Sequence, residues 1–168
     1  VATLTALLEA NVVLPSLVPV VDPEAAAACH QAGVGQEVTI SLGHRLDPRW
    51  GKPIMVTGHV TRLSDGLFRY MGGIWDGVDG EMGPSAVLAI GEIQVLITTH
   101  GTYDWADEQF RSVGFDPSQA KFIVVKNPMN YRLAYGEIAK ATFILDTPGP
   151  TPATFRHVRY THLERPYF

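Results

Sequence analysis

KFIVVKNPMNYRLAYGEIAKA, residues 121–141, is the stretch on which the reading of the fold turns. Phe122, Ile123, Val124 and Val125 make the short continuous apolar run expected of a buried strand. Lys126-Asn127-Pro128 breaks the run, and Tyr131, Ala134, Tyr135 and Ile138 then recur at helical spacing. The stretch therefore predicts a strand, a cap and a helix. Asn127 suits the N-cap, and Pro128 suits the first helical position, where its missing N–H costs nothing. At such a junction free amides and the positive end of a helix dipole would meet Lys126 and Arg132 at the end of a strand, an arrangement that attracts an anion. A capped turn of this kind also occurs where nothing binds, with Arg132 on a solvated helix face, and both readings stay open on these residues alone.

Working back from this stretch, residues 105–113 predict a short amphipathic helix ending at Gly114. Residues 86–99 read as two strands joined at Gly91-Glu92. Gly72 to Gly83 holds five glycines with Asp76, Asp79 and Glu81. It lacks the ligand spacing of an EF-hand loop, and a mobile loop is expected there. Residues 36–42, 53–63 and 67–71 predict strands, the last two forming a hairpin about Ser64-Asp65-Gly66. In residues 12–21, Pro15 and Pro19 argue for an edge or irregular strand rather than a central one. Asp22-Pro23-Glu24 opens a helix that Gly33 closes, Asp22 serving as N-cap. Gly33-Val34-Gly35 reads as a helix end and a flexible step rather than an anion nest. Leu4, Leu7 and Leu8 mark a helix with no room for a cap upstream, so it is expected to begin before Val1, in a longer protein. Beyond the organising helix, Leu145 to Pro150 is a Pro-rich break, and Val158 and Tyr160 suggest a last strand.

These elements predict a single domain, residues 1–168, of α+β class: a mixed, largely antiparallel sheet with helices packed mainly on one face. A chain of this length buries about two thirds of its unfolded surface and needs no staples. Scattered basic residues and a net charge of −4 speak against nucleic acid as a partner. No apolar run is long enough to cross a bilayer. Cys29, the single cysteine, can form no internal disulfide, and a cytoplasmic, reducing setting is expected. Within an alanine-rich helix it reads as a packing residue rather than a nucleophile.

Chemistry for the chain to perform alone leaves little trace. His30, His44, His59, His100, His157 and His162 include no helical zinc pair, and HExxH and CxxC are absent. His157 and His162, five apart in an expected strand, fall on opposite faces. Neither a GxSxG elbow nor a Walker A or GxGxxG loop is present.

Six motifs, in order, carry a family resemblance. They are DPEAAAACHQAGVGQEVTISLG (22–43), LSDGLF (63–68), GPSAVLAIGEIQVLITT (83–99), VKNPMNYRLAYGEIA (125–139), DTPG (146–149) and ERP (164–166). Together they resemble the C-terminal domain of the microcystinase C family, the MlrC-like zinc metallopeptidases. The resemblance implies hydrolysis of linear peptides at a zinc site carried by an N-terminal domain that is absent here, so this chain itself would hold no cofactor. It implies two partners: that N-terminal domain and a small peptide-like substrate. At the organising stretch the family pattern is similar to Val-Lys-Ser, two variable residues, then His-Phe-Arg. Lys126 and Arg132 match it, whereas Asn127, Asn130 and Tyr131 depart, and Asn130 replaces a titratable imidazole. Lys126, Asn127, Asn130 and Arg132 are accordingly the candidate substrate-binding residues, and no catalytic or metal-binding residue is expected in this chain. Three functional readings follow: an accessory, substrate-positioning domain inactive by itself; a stand-alone module for a small anion or carboxylate; and an autonomous hydrolase using Asp104, His100 or the acidic loop. The sequence leaves pairing of two copies open.

Overall fold

The structure, a computed structural model, describes residues 1–103, 106–127, 130–149 and 162. Pro128, Asp104, Trp105, His157, the expected last strand at Val158 and Tyr160, and the ERP motif lie outside the described residues.

Six strands form the main sheet: β1 (Ser16–Val21), β2 (Glu37–Leu42), β3 (Ile54–Ser64), β6 (Ser85–Ile90), β7 (Ile93–Thr98) and β8 (Phe122–Ile123), in the order β2-β3-β6-β7-β1-β8. The first four strands in that order pair antiparallel; β1 runs parallel to both β7 and β8. The fold is thus α+β on a mixed, mostly antiparallel sheet. A separate two-stranded ribbon joins β4 (Leu67–Arg69) and β5 (Asp79–Glu81).

The alternation of apolar residues decides what covers each face. Val18, Val20, Ile40, Leu42, Val56, Val60, Leu88, Val95 and Ile97 face α1 (Ala2–Glu9) and α2 (Pro23–Ala32) in one core with Leu4, Ala26 and Cys29. Leu17, Val87 and Leu96, each one residue out of phase with those, meet Met82, Phe110 and Val113 on the other face, where the one-and-a-half-turn α3 (Glu108–Ser112) lies. Under β2 and β3 that second face carries Thr39 hydrogen-bonded to Thr57 and an exposed Met55, so it meets water. The two longest helices therefore share a face. A register shift between Val60 and Arg62 reverses the alternation, as a β-bulge does, and sends Arg62 to the second face. There its guanidinium sits 4.4 Å over the Phe115 ring and donates to the Val113 carbonyl, fastening the end of α3 to the sheet.

Several expectations need correction. In residues 12–21 the expected edge holds only in part: β1 pairs with β7 along its length and is covered by β8 on its outer side at Ser16 and Leu17, and beyond these it is an edge among the described residues. Pro19 is tolerated because the amides of Ser16 and Asp22 bond towards β7, at Glu92 and Thr98, so the odd-numbered positions of β1 face away from it. At Pro19 that outer side has no strand, since β8 ends opposite Leu17. The turn at Ser64-Asp65-Gly66 forms, but residues 53–63 and 67–71 are not a hairpin. Both sides of β3 are taken, by β2 and β6, so the chain leaves the sheet and β4 pairs with β5 instead. Gly66 permits this exit, because a Cβ there would lie 2.0 Å from the Gly83 carbonyl oxygen. Residues 72–83 are consequently not a loop throughout; they include a 3-10 turn (Gly73–Trp75) and β5.

The organising stretch departs most from expectation. Its strand is two residues long, and its helix, α4 (Arg132–Tyr135), is one turn with Tyr131 in the N-cap position and no side-chain cap. A helix this short gains too few hydrogen bonds to offset nucleation by itself. It persists because Tyr135 is buried, its hydroxyl 3.4 Å from the Ala106 carbonyl.

Candidate functional site

β7, β1 and β8 run parallel; β7 and β1 end side by side at Thr98 and Val21, whereas β8 ends at Ile123, opposite Leu17, and the chain runs on from there to Lys126. The crevice beyond the carboxyl ends of parallel strands is the usual place for a ligand in such sheets. A cavity of ≈ 230 Å³ lies at this end, lined by Pro19, Val21, Leu96, Thr98, Gly101, Thr102, Gln109 and Lys126. A second hollow, at Pro15 and Ser16 at the opposite end of β1, is half that size, ≈ 120 Å³. Within the larger cavity Gln109 donates to the Thr102 hydroxyl, and Thr98 donates to the His100 carbonyl at 3.0 Å. Its walls are apolar, with hydroxyls, an amide and one ammonium group on them.

Asp22, at the end of β1, organises the neighbouring loop. It is fully buried, and its Oδ1 accepts from the Ala25 amide at 3.0 Å while Oδ2 accepts from the Gly43 amide at 2.7 Å. One carboxylate thus caps α2, as expected, and also pins the segment leaving β2. The next residue, His44, is held at φ 58, a left-handed conformation that few side chains adopt. Its ring lies over Gly51, where a Cβ would come within 2.5 Å of it. Burial first, and then the positive charge of Lys126, lower the His44 pKa from its ordinary value, so the imidazole is neutral near pH 7. His44 carried no motif in the sequence; only its place just after a strand and a glycine could have drawn notice.

The four candidate residues do not converge on a helix N-terminus. Lys126 faces the cavity. Asn127 is buried, and its Oδ1 accepts from the Asn130 amide at 3.1 Å, the bond an N-cap would make, although it closes a turn rather than a regular helix. Asn130 is engaged through that amide. Arg132 is exposed, its guanidinium 5.7 Å from the centre of the Tyr131 ring and its Nε 3.3 Å from the Tyr131 hydroxyl. The helix-dipole argument therefore fails, and what remains is a lysine at the carboxyl ends of parallel strands.

Among the described residues no three His, Cys, Asp or Glu side chains stand close enough to hold a metal ion, so these residues do not fit a metal centre. Cys29 is fully buried and its thiol pKa is raised by burial, as befits a packing residue rather than a nucleophile. No helix among the described residues is long and apolar enough to cross a membrane.

Known proteins agree with this architecture. The chain is 19% identical to microcystinase C from Sphingomonas sp over 150 residues, which is 89% of this chain and 29% of that protein. A crystal structure of a candidate metallopeptidase from Mesorhizobium sp. BNC1 superposes with a TM-score of 0.85 at 25% identity, covering 99% of this chain and 33% of that one. The chain spans about a third of the length of the relatives it matches. The family described as MlrC C-terminus matches residues 1–162, and the chain belongs to that family.

Proposed function

We propose that this chain is the C-terminal accessory domain of an MlrC-like zinc metallopeptidase that hydrolyses linear peptides, and that it positions substrate at a metal site carried by an N-terminal domain. The observation that carries this reading is the cavity at the carboxyl ends of β7 and β1, with Lys126 on its wall and His44 close enough to feel its charge. Lys126 is exposed on the cavity wall, where its ammonium group suits a substrate carboxylate or carbonyl oxygen as a charge-assisted donor. Arg132, exposed beyond the turn that Asn127 and Asn130 close, is placed to reach a group outside the cavity. Holding substrate in this way lowers the entropic part of the barrier without making or breaking a bond. The residues of this chain supply orientation only, and the chain alone is inactive. The buried Cys29 is compatible with a reducing, cytoplasmic setting.

The test is steady-state kinetics on the full-length enzyme with linear peptides. Lys126→Ala and Arg132→Ala should each raise KM or lower kcat/KM by roughly tenfold, the worth of one charge-assisted hydrogen bond. Unchanged kcat and KM in both variants would remove the positioning role.

A second reading, a stand-alone carboxylate-binding module, draws on the same cavity, since Lys126 faces it without help from another domain. Titration of the 168-residue chain with acetate and phosphate separates the two. Micromolar binding favours the module, and its absence favours the accessory role.

A further inference from the structure

The segment after α4 is exposed without interruption from 136 to 148, and no backbone hydrogen bond is made by 141–145 among the described residues. Its sequence, Ala141-Thr142-Phe143-Ile144-Leu145, has the β-branched and aromatic content of a strand rather than of a solvated connection. Phe143 is 78% exposed, Ile144 56% and Leu145 54%. Three large apolar side chains in a row, with unpaired amides and carbonyls between them, form an edge prepared for pairing.

Among the described residues this segment pairs with neither outer strand of the chain's own sheet, β2 or β8. The side of β1 beyond β8 presents Pro19 where an incoming strand would need a donor. At its near end the segment is anchored by the buried Tyr135, and at its far end it is closed by Thr147-Pro148-Gly149. We infer that residues 141–145 form a donated β-strand that pairs with a sheet edge of the N-terminal region of the longer protein, about two thirds of which lies outside this chain if it matches its relatives in length. A partner on the same polypeptide pays no concentration-dependent cost of encounter, which favours it over a second copy of this chain. Phe143 and Leu145 would then lie on one face of the shared sheet and Ile144 on the other. The inference concerns how the two parts dock and stands whether or not Lys126 and Arg132 touch substrate.

Hydrogen exchange followed by mass spectrometry tests it, on the 168-residue chain and on the protein with its natural N-terminal extension. The amides of 141–145 should exchange at least about tenfold more slowly in the longer protein and freely in the short one. Pairing is also one-sided, because alternate amides of an edge strand face the partner and the solvent. Of Phe143→Pro and Ile144→Pro in the longer protein, one should abolish the protection and the other largely keep it. Equal exchange in the two proteins overturns the inference. Protection that arises in the short chain alone and grows with its concentration would assign the strand to a second copy and overturn the choice of partner. Identical loss in both proline variants would point to apolar burial without strand pairing, which also contradicts it.

Discussion

His44 and Lys126 are coupled by charge across two loops that the sequence separates by more than eighty positions, and this coupling is measurable. Because burial and neighbouring positive charge hold the His44 pKa below its ordinary value, the folded state takes up its proton later than the unfolded state does. The sign follows: as pH falls below the unfolded histidine value of about 6.5, the unfolded chain binds more protons and the protein loses stability, until the lowered folded value is passed. Lys126→Gln should raise the His44 pKa, read from its imidazole resonances in an NMR titration. His44→Gln should flatten the acid side of the stability curve. A His44 pKa that does not move in Lys126→Gln would place the lysine elsewhere. Lys126 was a candidate because it stands at the turn after an apolar run and matches the family pattern there. The sequence contained no signal for His44, whose neighbourhood depends on Asp22 reaching the Gly43 amide across 21 positions.

Elements were legible where period and punctuation agreed. Asp22, Pro23 and Gly33 framed α2, and Gly91-Glu92 split β6 from β7, as the spacing predicts. The failures have two physical sources. One is partner choice: LSDG announces a turn, but nothing in it says that β2 and β6 will already flank β3 and send β4 to β5. The other is strand direction. Proline in β1 suggested an edge, which holds at Pro19, where the outer side is open; what the sequence did not show is that two residues of β8 run parallel to the start of β1 and cover it there. Pro19→Val should therefore change stability little in a urea melt. Val20→Pro, on the β7 side, should cost about 1–3 kcal/mol through the carbonyl it leaves unpaired. Equal costs for the two substitutions would contradict this register. The organising helix was overestimated because Tyr131, Tyr135 and Ile138 keep helical spacing, yet of these only Tyr135 is buried, so one turn gains all the packing there is.

For the molecule as a whole, belonging to the MlrC C-terminus family accounts for a feature that would otherwise be odd. This is a well-packed sheet with a lysine-bearing cavity at the carboxyl ends of β7 and β1 and, among the described residues, no cluster of three His, Cys, Asp or Glu side chains that could hold a metal ion. A domain that holds one end of a substrate, the role proposed above, would need no more than that, and the relatives are about three times as long. The accessory role is the central claim, and the most direct measurement is zinc content together with linear-peptide hydrolysis, made on residues 1–168 and on the same protein with its natural N-terminal extension. The account predicts stoichiometric zinc and turnover in the longer protein and neither in the short chain. Stoichiometric metal or unaided turnover in the 168-residue chain would contradict it.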